Sequence, residues 1–148
     1  MVNEGLRHYQ ADVTTDRLAA IRVEVSVIAF GNTVETVTPF VTASEFAPPT
    51  LVANGETMMG AAILQAINAV TVRKQQYKQN ALHYYRPWIF MITDGKPTDE
   101  WQAAAAKVIE GEEKKLQDLN LRLQTQQKQI LNFLEQRIRE YESLDHPG

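Results

Sequence analysis

Residues 88–101 read Trp-Ile-Phe-Met-Ile-Thr-Asp-Gly-Lys-Pro-Thr-Asp-Glu-Trp, and this stretch decides the fold that the sequence predicts. Five apolar residues run directly into Thr-Asp-Gly, and a helix start follows. A continuous apolar run of this length is typical of a strand that is buried on both faces of an α/β sheet. Because such sheets bind ligands at the carboxyl ends of their strands, Asp94 is the first candidate site residue.

The residues before this stretch predict a hairpin and then a helix. Residues 21–30 are rich in β-branched side chains and indicate a largely buried strand, and residues 31–33 form a tight turn. Residues 34–40 alternate in polarity and fit the second arm of the hairpin. Thr57 stands where a helix N-cap belongs, and residues 58–77 have helical periodicity.

Two further helices are predicted, one at each end of the chain. Asn3 is a candidate cap for a short helix that reaches about Asp12. Thr98 is predicted to cap a helix whose first turn holds Asp99 and Glu100, which have the favourable sign for the helix dipole. The element order predicts an α/β fold with helices against a mostly parallel sheet that carries one antiparallel hairpin.

The C-terminal helix is predicted to be long and rich in glutamine. An apolar stripe with roughly three-four spacing suggests a coiled coil, although Gln126 and Gln127 interrupt it. The stripe fits either a helix that lies on the core or a homo-oligomer contact, and we favour association. Its members are Leu116, Leu119, Leu123, Ile130, Leu134, Ile138 and Tyr141.

Composition bounds the class of protein. A chain of 148 residues is long enough for one domain with a sizeable core, and a net charge of −3 gives no attraction to nucleic acid or to an anionic membrane. There is no cysteine, no apolar run approaches the roughly 20 residues that span a bilayer, and the N-terminus does not resemble a signal peptide. These features predict a cytoplasmic protein.

Three stretches of the chain resemble a von Willebrand factor A domain, and the resemblance is closest to the TerY-like branch of bacterial tellurium resistance. They are residues 25–31 (Val-Ser-Val-Ile-Ala-Phe-Gly), residues 55–60 (Gly-Glu-Thr-Met-Met-Gly) and residues 86–101. The resemblance implies a truncated domain over residues 1–115, with a partial Rossmann-like sheet flanked by helices. Residues 116–148 then form a helical extension.

The same resemblance implies a metal-ion-dependent adhesion site for Mg²⁺. Thr57 and Asp94 match two of the family's ligand positions, whereas the Asp-x-Ser-x-Ser loop that supplies the others is not in this sequence, nor are the family's first strand and its C-terminal strands. In such a site an acidic side chain of a partner protein fills the open coordination position. The missing ligands must come from another chain, or metal binding is lost.

Simpler interpretations stand beside these. Asp94 also fits an ordinary Asp-Gly turn, Thr57 fits a plain helix cap, and Glu56 fits an exposed loop residue better than a compensating ligand. His8, His83 and His146 are far apart in sequence. No nucleophile–base or phosphate-binding motif is present, which predicts a protein that is not an enzyme. The two hypotheses are a protein-interaction module and a truncated structural or oligomerisation protein without a ligand.

Overall fold

The computed structural model describes residues 1–145, and it is a mixed α/β structure in which helices dominate. It divides into one unit over Met1–Ala105 and a second that begins at Ala106. The boundary predicted at residue 115 falls inside one uninterrupted helix. In chain order the elements are α1 (Val2–Thr15), α2 (Arg17–Arg22), β1 (Glu24–Phe30), β2 (Val34–Thr42), a 3-10 turn (Ala43–Glu45), α3 (Met59–Gln79) and α4 (Gln102–Asp145).

The predicted hairpin is confirmed. β1 and β2 pair antiparallel, with Phe30 opposite Val34 at the turn end and Glu24 opposite Thr42 at the other end. The first strand starts later than its predicted start at residue 21, because α2 occupies the preceding residues. The Asp16 carboxylate caps α2 by accepting hydrogen bonds from two backbone N–H groups, at 2.8 and 3.1 Å.

α3 matches its predicted range and lies against the hairpin. Arg73 donates two hydrogen bonds to the Glu24 carboxylate, one of them from Nε at 2.8 Å, and this pairing holds the pKa of Glu24 below its ordinary value. Nearer the start of the helix, Gln65 donates to the Thr36 hydroxyl at 2.9 Å. The Arg73 guanidinium also lies 5.3 Å from the centre of the Tyr77 ring.

α1 is longer than predicted, and Asn3 does not cap it. Helix α1 begins at Val2, and Asn3 instead exchanges two hydrogen bonds with the backbone of Leu51, at 2.9 and 2.8 Å. The Tyr9 ring meets the buried Phe46 ring edge-on at 6.4 Å. Because these partners lie more than 30 residues away in sequence, local capping rules could not identify them.

The predicted third strand is wrong. Residues 83–98 have no helix or strand, and within the described residues the sheet has only its two antiparallel strands, so the mostly parallel sheet is not formed. The apolar run is also exposed rather than buried, with Trp88 at 72% and Phe90 at 81% exposure. A strand forms only where a neighbour accepts its backbone hydrogen bonds, and in the described structure β1 pairs only with β2.

The long C-terminal helix is confirmed, and it begins later than predicted. α4 starts at Gln102 rather than beside Thr98, and it continues through Gly111. The described members of its apolar stripe, Leu116 to Ile138, are all at least half exposed or close to it. The Tyr141 side chain and His146 lie outside the described residues. Among those described, no helix is long and apolar enough to cross a bilayer.

Candidate functional site at the start of α3

The N-terminus of α3 is capped from a distant part of the chain. Its own N-cap residue, Met58, makes no side-chain hydrogen bond. Instead the Asp99 carboxylate accepts hydrogen bonds from the N–H groups of Ala61 at 2.8 Å and Gly60 at 3.0 Å. These two donors stabilise the ionised carboxylate and hold the pKa of Asp99 below its ordinary value.

Asp99 therefore has a role that the sequence did not predict. We expected it in the first turn of the helix that follows, but that helix begins three residues later and the carboxylate serves α3. The close approach also requires Gly60, since a Cβ there would lie 2.6 Å from the Glu100 carbonyl oxygen. No signal in the sequence pointed to this cap, because Thr57 stands where a local N-cap belongs and Asp99 lies 38 and 39 residues beyond its two donors.

Thr57 is joined to the same segment through its backbone. Its N–H donates to the Thr98 hydroxyl at 3.0 Å, and the Thr98 N–H donates to the Thr57 carbonyl at 3.0 Å. The capping interpretation of Thr57 is wrong, since α3 has Met58 at its N-cap and the Thr57 hydroxyl donates to no acceptor in the described structure. That hydroxyl is left available for another partner.

The structure brings the neighbour of one predicted site residue into contact with the other. A Cβ added to Gly95 would lie 2.5 Å from the Thr57 hydroxyl oxygen, so the residue next to Asp94 is in contact with Thr57. Asp94 itself is exposed, and its carboxylate accepts no hydrogen bond from the described residues. We call Thr57, Asp94, Gly95, Thr98 and Asp99 the α3 entry cluster.

The carboxyl end of β1 also reaches this cluster. The loop before α3 is fixed to the hairpin turn by a hydrogen bond from the Glu56 N–H to Asn32 Oδ1 at 2.7 Å. The Met58 N–H donates to the Gly31 carbonyl at 3.4 Å. The Glu56 side chain is exposed. The cluster therefore lies where β1 ends and α3 begins.

The donor set of the cluster suits Mg²⁺ in type and falls short in number. A hydroxyl and a carboxylate are the hard oxygen donors that this ion prefers. Among the described residues, however, no three His, Cys, Asp or Glu side chains come together in a group that could hold a metal ion. His8 and His83 are both exposed. Thr57 and Asp94 would supply one hydroxyl and one carboxylate, and the remaining ligands of such an ion would have to be water or further groups.

Residues 84–98 run along α3 in the same direction as β1. Tyr84 contacts the Tyr77 ring near the end of α3, with ring centres 5.8 Å apart, and Thr98 bonds to Thr57 at its start. β1 likewise begins near the end of α3, where Glu24 accepts hydrogen bonds from Arg73, and it ends near the start of α3. Residues 84–98 therefore cross α3 in the same direction as β1, although β2 stands between β1 and α3 in chain order and residues 84–98 form no strand.

Comparison with protein-family models, with curated proteins and with solved structures finds no match to this chain.

Proposed function

We propose that this chain is a non-enzymatic protein-interaction module of the von Willebrand factor A type. In this proposal, Thr57 and Asp94 are its contribution to a Mg²⁺-dependent adhesion site. The observation that supports the proposal is the contact between the Thr57 hydroxyl and Gly95, the residue that follows Asp94. The shared direction of β1 and residues 84–98 along α3 supports the same assignment.

The residues of the α3 entry cluster have distinct roles in this proposal. Thr57 and Asp94 would hold the ion, and the bound ion would supply a positive charge that binds a carboxylate of the partner. Asp99 and Thr98 position them, since their bonds to the start of α3 hold residues 94–99 against Thr57. Ligands from another polypeptide complete the coordination. We place this interaction in the bacterial cytoplasm, in stress response or tellurium resistance.

Calorimetric titration with Mg²⁺ and Mn²⁺ tests the proposal. The wild-type chain is expected to show weak, saturable binding, and Asp94→Ala is expected to abolish it. Asp12→Ala, which removes an exposed carboxylate of α1, is the matched control and should leave binding unchanged. Absence of saturable binding, or equal binding by Asp94→Ala, would contradict the metal site.

A second candidate function, self-association through α4, rests on the exposed apolar stripe. Leu123 and Ile130 have 49% and 60% exposure although they lie on one side of the helix. Replacing each with Asp should lower the mass measured by light scattering if the stripe forms a coiled coil. Leu121→Asp is the control, because Leu121 is similarly exposed at 64% and lies on the other side of the helix. An unchanged mass in all three variants would reject association through α4.

A further inference from the structure

The most exposed apolar feature of the unit formed by Met1–Ala105 is the extended run of residues 88–92. Its members on one side, Trp88, Phe90 and Ile92, are 72%, 81% and 69% exposed, and the Trp88 and Phe90 rings stack with centres 6.1 Å apart. Ile89 and Met91 on the other side are 50% and 47% exposed. No backbone hydrogen bond of the described structure involves these five residues.

A segment of this kind favours pairing with another β-strand. Five consecutive residues without charge, rich in aromatic and β-branched side chains, have high β-propensity, and their N–H and C=O groups are all available to a neighbouring strand. Both ends are held in place, by Tyr84 on the Tyr77 ring and by Thr98 on Thr57. The segment therefore lies between two points of attachment to α3.

The charges at its two ends specify what it pairs with. Arg86 precedes the apolar run and Asp94 follows it, each four residues from Phe90. In an antiparallel pair of two copies centred on Phe90, Arg86 of each copy faces Asp94 of the other, so two favourable charge pairs form. A parallel pair in the same register would set Arg86 against Arg86 and Asp94 against Asp94, which is unfavourable.

The position of Pro87 agrees with the same register. Proline has no N–H, so it is tolerated only where the backbone N–H points away from the neighbouring strand. If Phe90 forms a hydrogen-bonded pair with its own counterpart, then Trp88 and Ile92 also bond across the interface and Pro87 points outward. The alternating backbone thus accommodates the proline in the register that the charges favour.

We propose that residues 86–94 form a two-fold symmetric interface with a second copy of this chain, as an antiparallel strand pair centred on Phe90. Trp88 then lies opposite Ile92, Ile89 opposite Met91, and Phe90 opposite Phe90, so every contact from Trp88 to Ile92 is apolar. The interface is separate from the α4 stripe and does not require a metal ion. Because Asp94 serves both this interface and the Mg²⁺ proposal, the tests below are made in the presence of a chelator.

Cysteine cross-linking of the full chain tests the register directly, because the chain has no cysteine of its own. Phe90→Cys should form a disulfide-linked dimer on mild oxidation, since the two Cα atoms of a hydrogen-bonded pair are about 5.5 Å apart. Trp88→Cys should not cross-link to itself, because its two copies are separated by about 13 Å along the strands. An equimolar mixture of Trp88→Cys and Ile92→Cys should cross-link as well as Phe90→Cys does.

Two results would overturn the proposal. One is efficient self-cross-linking of Trp88→Cys, which indicates a different register or non-specific aggregation. The other is a failure to cross-link both by Phe90→Cys and by the mixture of Trp88→Cys with Ile92→Cys. Because the mixture retains Phe90, its failure could not be attributed to the loss of that side chain. Association through α4 alone would not favour cross-linking at Phe90 over cross-linking at Trp88. It would therefore not produce the predicted differences among the cysteine variants.

A charge exchange gives an independent test by sedimentation. Arg86→Asp replaces both charge pairs with repulsive ones and should raise the dimer dissociation constant roughly tenfold. Arg86→Asp combined with Asp94→Arg restores opposite charges and should return the constant to within about threefold of the original. A double variant as weak as the single one would contradict the antiparallel arrangement, whereas loss of Mg²⁺ binding in the double variant bears only on the metal site.

Discussion

The β1–β2 hairpin and the apolar run at residues 88–92 have similar compositions but differ in strand pairing and in burial. Both are rich in β-branched and aromatic residues, yet the hairpin is paired and every β1 residue is partly buried, while the run is unpaired and exposed. The difference lies in the distance to a partner. A three-residue turn brings β2 to β1, whereas no strand lies close in sequence to residues 88–92. Apolar character favours an extended conformation, and pairing needs a neighbour.

The largest expected effect comes from placing the same charge in each region. Ile28→Asp in β1 should lower the free energy of unfolding by about 3 kcal/mol, because Ile28 lies opposite Thr36, on the face of the hairpin that α3 contacts. Phe90→Asp should change it by no more than about 0.5 kcal/mol at low protein concentration, since the side chain is 81% exposed. Urea unfolding followed by circular dichroism measures both. Equal losses would show that residues 88–92 are part of the core.

The next largest loss of stability is expected where the residues that follow the unpaired run pack against the start of α3. Gly60→Ala should cost about 2 kcal/mol, because its Cβ would lie 2.6 Å from the Glu100 carbonyl oxygen and the backbone must move. Gly5→Ala is the control, since a Cβ there has no neighbour within 4 Å and the helix should gain up to about 1 kcal/mol. If Gly60→Ala stabilises the chain as Gly5→Ala does, residues 99–101 do not cover α3.

The Asp99 cap predicts a dependence on pH. Its pKa is lowered on folding, so its contribution to stability is complete above the ordinary pKa of 3.8 and is lost as the pH falls through the lower folded value. Asp99→Asn should therefore be less stable than wild type at neutral pH, and the gap should narrow in acid. Thermal unfolding at a series of pH values measures this. A gap that does not depend on pH would contradict the charged cap.

The smallest expected loss of stability concerns the ion pair between Glu24 and Arg73, which joins the hairpin to α3. Glu24→Gln should cost about 0.5–1 kcal/mol, because the ion pair with Arg73 is partly exposed and screened by water. The loss should shrink at high salt if charge rather than packing is responsible. Glu45→Gln, which removes an exposed charge of the 3-10 turn, should have no measurable effect. A cost that is independent of salt would assign the contribution to the packing of Arg73 on the aromatic rings.

Local patterns predicted the elements that are stabilised locally. The hairpin, α3 and the long helix α4 follow from alternation, helical periodicity and turn residues that lie within the elements themselves. The family resemblance predicted one site for Thr57 and Asp94, and of this the structure shows that Gly95, next to Asp94, contacts Thr57. What it missed depends on distant partners: Asn3 bonds to Leu51, Asp99 caps a helix that starts 40 residues earlier, and residues 88–92 lack the strand that their composition favours.

Hydrogen exchange of the backbone amides at several protein concentrations tests the central claim, that residues 88–92 are an unpaired edge until a second copy covers them. We expect the amides of β1 to be protected at every concentration. The amides of Trp88, Phe90 and Ile92 should become protected only as the concentration rises, with Ile89 and Met91 remaining less protected. Protection of all five amides in the dilute monomer, or no protection of any at high concentration, would contradict the account.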